Sequence, residues 1–436
     1  MSEALLGSLL VALLFVAFAL GLEIALALGL VGLVGLLVLK GWTVGLGVVG
    51  SVAWSNATSF TFVAVPLFVF MSAILLHSGI GRSLYTAVAR WVGFLPGGLA
   101  VASVFACTIF AAVSGSSVAT CATIGMIAIP EMERRGYHRP LIYGSLAAGG
   151  TLGILIPPSI PMIIFGVMTE TSVGQLYMAG VLPGALLAVL FSGFIVGYAV
   201  VWPEAAPRGH EGRVSWAERL RSLQEVGPVA LLIVVVLGSM YLGVVTPTEA
   251  AALGAAVSLV LACLMRGLTW TGLVRSFHET VRTTSMVMLI IICASVFSHV
   301  IALLGAPRAL LATISGLDLP PWAVFAMIFL FLIAVAYALE ELSVMIILLP
   351  ILFPLVTGLG FDPVWFGIVM VIWLEMGFIT PPVGLNLFVI QGVARGSMRD
   401  IALGATPFVG LMILAVIILF LVPDLALWLP ARMAGR

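Results

Sequence analysis

Two pairs of adjacent prolines stand inside apolar runs where a helix in lipid should be continuous. One is in GILIPPS (153–159), the other in GFITPPV (377–383), 224 residues later. A proline has no backbone donor, so Pro157–Pro158 and Pro381–Pro382 each leave carbonyls free upstream. Gly149, Gly150 and Gly153 before the first pair, and Gly377 and Gly384 around the second, predict that the chain unwinds there. Thr151, Ser159, Thr380 and Asn386 add side-chain oxygens. Such carbonyls and hydroxyls suit a hard cation such as Na+, while the helix that resumes after each break turns N–H groups toward an anion. Two more polar segments interrupt apolar sequence. AAVSGSSVAT (111–120) carries Ser114, Gly115, Ser116 and Ser117, and AYALEELS (336–343) carries Glu340, Glu341 and Ser343. Glu375 lies about one turn ahead of the second break. An acid at mid-helix costs roughly 2.5–3.5 kcal/mol on insertion scales, so each of these calls for a partner, a cation or a proton. Glu340 and Glu341 read either as part of a site or as a solvated tip. The economical reading is two cation sites related by pseudo-symmetry, flanking one anionic ligand.

Other chemistry is poorly served. There is a single lysine, Lys40, and it follows no phosphate loop. The four cysteines (Cys107, Cys121, Cys263, Cys293) have no CxxC spacing and read as small packing residues. HExxH, GxSxG and Cys/His clusters are absent from the sequence, which argues against an intramembrane enzyme. No cofactor is called for. His77 and His299 read as packing or interfacial residues. Net charge is zero, with no basic stripe for nucleic acid.

The elements that must carry these residues are membrane helices. Of 436 residues, 62% are hydrophobic and 8% charged, so lipid is the solvent. The first run lacks a basic flank and a cleavage site and reads as mature sequence. Runs of the roughly 20 residues a span needs lie at 4–20, 22–39, 60–77, 141–169, 176–201, 227–244, 247–266, 283–304, 364–394 and 401–422. The segments 98–130 and 319–354 fit neither one span nor two, and read as re-entrant hairpins. The stretch 42–56 reads either as an interfacial helix or as part of a packed scaffold.

The chain is also a duplication. GYHRP at Gly136 matches GFDP at Gly360, Pro130 matches Pro354, SGIGR (78–82) matches LGAPR (304–308), and Glu23 matches Glu249. The loop 131–140 has Arg134, Arg135 and Arg139, whereas its mate 355–363 has only Asp362. Arg395 and Arg399 follow the second break, whereas Glu170 follows the first. Opposite character in matching loops implies opposite orientation. The expected fold is therefore an all-α polytopic membrane protein, an inverted repeat of about five spans per half, each half with a hairpin and a broken helix. Residues 1–201 form the first repeat, 202–226 a cytoplasmic linker with four arginines, and 227–436 the second repeat. That is a plan of secondary transporters. Two occluding hairpins suit alternating access better than a passive pore.

The segments SLAAGGTLGILIPPSIPMIIFG (145–166), GFITPPVGLNLFV (377–389), PLFVFMSAILLHSGIGRSLY (66–85) and FAAVSGSSVATCATIGMIAIPEMERRGYHRP (110–140) resemble the large permease (DctM-like) subunit of tripartite ATP-independent periplasmic (TRAP) transporters, over nearly the whole chain. The resemblance implies secondary, usually Na+-coupled, import of an organic acid (a carboxylate) by an elevator movement, in the bacterial or archaeal cytoplasmic (inner) membrane. It implies two partners, a small four-span DctQ-like membrane subunit on a separate polypeptide and a periplasmic DctP-like binding protein. By motif, the first tip carries over to Ser114–Ser117, the first break to Gly149–Ser159 and the second to Gly377–Asn386. The glutamates near the second break keep H+ open beside Na+ as coupling ion. A stand-alone cation- or proton-coupled carboxylate carrier is the competing reading.

Overall fold

The structure is a computed structural model that describes residues 3–207, 215–265, 267–316, 319–336 and 341–434. The described residues are helical almost throughout. The first half runs α1 (Glu3–Ala19), α2 (Ile24–Ala57), α3 (Ala64–His77), α4 (Ile80–Val92), α5 (Gly98–Ser114), α6 (Ser117–Arg134), α7 (Arg139–Leu155), α8 (Ile160–Thr169), α9 (Val173–Ala179) and α10 (Val181–Val201). The second half runs α11 (Trp216–Tyr241), α12 (Pro247–Leu264), α13 (Trp270–Leu303), α14 (Ala306–Ser315), α15 (Pro321–Ala336), α16 (Glu341–Gly358), α17 (Pro363–Phe378), α18 (Leu385–Ala394), α19 (Met398–Leu421) and α20 (Asp424–Ala434). Helices α4 to α8 start at 80, 98, 117, 139 and 160; α14 to α18 start at 306, 321, 341, 363 and 385, which keeps the sequence offset element by element. Helices α5–α6, α7–α8 and α17–α18 occupy the segments expected to form the first hairpin and the two broken helices; α15 and α16 flank the expected second tip, whose residues 337–340 lie outside the described residues.

Local chemistry explains where these helices begin. Ser116, Ser159, Ser172 and Thr269 each accept a backbone N–H at the start of the helix that follows. Asp362 accepts two, from Val364 at 2.8 Å and Trp365 at 3.0 Å. Ser215 with Glu218 and Thr246 with Glu249 close reciprocal capping boxes on α11 and α12. The two Glu218 bonds, from the Ser215 backbone amide and hydroxyl, hold its carboxyl below the ordinary range.

Six helical stretches are each long and apolar enough to cross a membrane, and two bent pairs raise this to eight among the described residues. Ten runs were expected, and the two that fall short have physical reasons. Helix α1 has 17 residues, about 25 Å at 1.5 Å per residue. The second broken helix is split by residues 379–384 into pieces of 16 and 10 residues. The stretch 42–56 continues α2 past a kink at Gly41 (φ 74°, ψ 175°), so it is joined end to end with the preceding run.

Burial divides the helices into two groups. On α7 every residue from Leu141 to Leu155 is buried, and on α17 every residue from Val364 to Phe378. Helices apolar on all sides belong in the centre, and α7 lies there against α5, α6, α17 and α19. By contrast α2 buries one stripe (Ala25, Leu28, Val31, Gly32, Gly35, Leu36) and exposes Leu26, Leu30 and Val34. Helix α13 packs along that stripe, close enough that a Cβ on Gly32 would stand 2.8 Å from the Phe297 nitrogen and one on Gly35 2.7 Å from Val300 Cγ1.

Candidate functional site

The first hairpin turns in two residues. Helix α5 ends at Ser114, Gly115 takes the left-handed conformation (φ 59°, ψ 11°), and the extended Ser116 caps α6 through Ala119 N–H at 3.3 Å. Ser114 Oγ and Thr120 Oγ1 lie 2.7 Å apart and tie the two arms together. The tip rests on the first break. A Cβ on Gly115 would stand 2.8 Å from the Pro158 carbonyl oxygen, so this glycine is required both for its φ and for the contact.

At that break the chain leaves α7 at Ile156 and resumes as α8, bent by 40°. Both breaks carry a cis Pro–Pro bond, Pro157–Pro158 and Pro381–Pro382. Ser159 Oγ accepts Met162 N–H at 3.4 Å, while its carbonyl accepts the Tyr177 hydroxyl at 3.4 Å. Pro157, Pro158 and Ser159 are buried, whereas Pro381 and Pro382 are exposed.

The expected unwinding at Gly149, Gly150 and Gly153 is not what the structure has. All three lie within regular α7 and serve close packing. A Cβ on Gly149 would stand 3.2 Å from Cys107 Cβ, one on Gly150 3.2 Å from the Ser117 carbonyl oxygen, and one on Gly153 would overlap Ala111. Without side chains, α7 lets both hairpin arms come within touching distance, and the helix opens only at the prolines. Thr151 likewise turns its hydroxyl onto Ala148 O at 2.7 Å, inside the helix. Gly377 also lies within α17, ahead of the opening, which falls at Ile379–Gly384.

The second break contributes Thr380, whose hydroxyl donates to Met376 O at 2.6 Å and keeps lone pairs free, and Gly384, whose N–H bonds Thr380 O at 3.0 Å. Asn386, fully buried near the start of α18, crosses between halves. Its Nδ2 donates to Ser117 Oγ at 2.7 Å and to Ala147 O at 3.1 Å, leaving Oδ1 without a partner among the described residues. One amide thus fastens the first hairpin tip and α7 to the second broken helix. Through the Gly115–Pro158 contact and the Asn386–Ser117 bond, the N-termini of α6, α8 and α18 come to this tip.

Glu375 is fully buried, and neither carboxyl oxygen has a hydrogen-bond partner among the described residues. The backbone of Leu155, the last residue of α7, faces it without reaching hydrogen-bond geometry. Ser343 is buried on α16. Glu340 and the Glu341 side chain lie outside the described residues. Sequence reasoning missed Thr120, Tyr177 and Ser72, which donates to Val113 O at 3.1 Å and links α3 to the hairpin. Thr120 had a readable signal, one turn beyond the Ser-Gly-Ser-Ser tip; the other two act through tertiary contacts.

A family model described as "Tripartite ATP-independent periplasmic transporter, DctM component" matches residues 11–425. The chain belongs to the DctM family. It is 38% identical over 378 residues to the C4-dicarboxylate TRAP transporter large permease protein DctM of Pseudomonas aeruginosa, covering 86% of this chain and 88% of that one. It is 34% identical over 412 residues to the isethionate TRAP transporter permease protein DctMQ of Oleidesulfovibrio alaskensis, covering 94% of this chain and 64% of that longer protein. The solved structure of the Alcanivorax borkumensis YdaH transporter superposes over 90% of each chain with a TM-score of 0.62 at 14% identity, a likeness of fold alone. The DctM-family chain is a multi-pass TRAP large permease subunit.

Proposed function

We propose that this permease imports a small organic acid across the cytoplasmic membrane by coupling its movement to Na+, with a small four-span subunit beside it and a periplasmic binding protein delivering the substrate. Residues 1–201 and 227–436 act as oppositely oriented repeats joined by a cytoplasmic linker. Helices α5–α8 and α15–α18 carry the site and move as an elevator against a frame that includes α2, α3, α12 and α13. The observation that carries the reading is the Asn386–Ser117 bond of 2.7 Å, because it makes one unit of a hairpin tip and the broken helix of the other repeat. Around that unit lie the two things a coupled carrier needs, oxygen ligands for a cation and helix N-termini for an anion. Relatives named for C4-dicarboxylates and for isethionate support an organic anion as cargo.

The test is the Na+ activation curve of uptake in Ser116→Ala and Thr380→Ala. Each substitution removes one hydroxyl at one pseudo-symmetric site, so the half-activating Na+ concentration should rise roughly tenfold, equivalent to about 1.4 kcal/mol, with expression unchanged. Wild-type Na+ activation in both variants would sink the two-site reading.

A further inference from the structure

A cavity of about 700 Å³ opens between the frame and the site-bearing helices. Its frame side is built by Glu23 at the start of α2 and by Arg282 and Met286 of α13; its other side by Ser343 of α16, Ile164 of α8 and Leu385 of α18. Thus it touches one hairpin arm and the short half of each broken helix, the elements that an anion bound at the helix N-termini would contact. Its size falls in the range of roughly 300–1,000 Å³ typical of small-molecule sites, and its wall is mostly aliphatic with a few polar groups, the usual composition of such a site.

The two charged groups set the ligand. Arg282 lies twelve residues into α13, about 18 Å from its start, and makes no hydrogen bond or ion pair among the described residues. Glu23 occupies the N-cap position of α2 but does not cap the helix with its side chain. One cation and one anion, both on exposed residues, therefore line the same apolar space with no salt bridge between them. A guanidinium binds a carboxylate or sulfonate through two parallel N–H bonds, whereas a second anionic group on the ligand would meet the Glu23 carboxylate.

We infer that this cavity holds the transported solute, and that the solute carries a single anionic group, set on Arg282, together with a cationic or hydrogen-bond-donating group toward Glu23, in place of a second carboxylate. This rests on the organic-acid reading above and narrows it.

The experiment measures ligand-induced stabilisation of the purified permease–small-subunit complex in Na+, with three probes. Betaine carries one carboxylate and a quaternary ammonium, isethionate one sulfonate and a hydroxyl, and succinate two carboxylates. Betaine and isethionate should raise the Tm of the wild type at concentrations at which succinate does not. Arg282→Gln should raise their half-saturating concentrations about tenfold, Arg282→Lys should restore part of the loss, and Glu23→Gln should admit succinate. Unliganded Tm values of the variants separate lost binding from lost folding. Stabilisation by succinate equal to that by the other two, curves unchanged by all three substitutions, or no response to any probe would each overturn the assignment. Uptake of an organic acid by the complete system that is indifferent to Arg282→Gln would also remove this cavity, yet leave the organic-acid reading standing; that reading falls only if no organic acid is taken up.

Discussion

Glu375 and Asn386 are both fully buried at the second break, and they stand in opposite situations. Asn386 spends its amide on two partners in the first repeat. Glu375 has none on either oxygen among the described residues. A buried carboxylate without a partner costs several kcal/mol, so it takes up a proton or a cation. Among the described residues no carbonyl cage or hydroxyl is bonded to it, which favours the proton. Glu375→Gln keeps the shape and removes the titratable group. Uptake by this variant should lose its dependence on pH while its activation by Na+ stays as in the wild type. A raised Na+ requirement with an unchanged pH profile would instead make Glu375 a sodium ligand.

At the scale of elements, the first hairpin is held by the fit of its arms against the smooth face of α7. Gly153→Val tests this, because its side chain would fill space occupied by Ala111. Overpacking of this kind costs about 1–3 kcal/mol. The variant should lower the Tm and cut uptake, whereas Gly193→Val, on α10 with open space around it, should leave both near wild type. Equal Tm and uptake for the two variants would contradict the packing role. These glycines also show where sequence was legible. The prolines, the repeat and the Ser-Gly-Ser-Ser tip were readable, because a missing donor, a fixed offset and a polar run in lipid are properties of the chain itself. The role of the glycines was not, because a small residue serves a bend and a close approach alike, and only the position of Ala111, Cys107 and Cys121 decides between them. Asn386 was expected at the second break, but its partners Ser117 and Ala147 lie 269 and 239 residues away and no local pattern indicates them. Glu23 and Arg282, similarly, share a cavity only through the packing of α13 on α2.

At the scale of the whole molecule, the long helices α2 and α13 pack along each other, and α7 and α17 are the buried centre. We propose that the unit of α5–α8 and α15–α18 carries an organic acid together with Na+, and that the acid arrives on a separate binding protein. The most direct test is uptake of a labelled organic-acid panel into proteoliposomes holding this chain and its small subunit, with and without the binding protein, under an inward Na+ gradient or a proton gradient alone. Uptake of one class of acid is expected only when the binding protein and the Na+ gradient are both present. Uptake by this chain without either partner would contradict it and make the molecule a self-sufficient carrier.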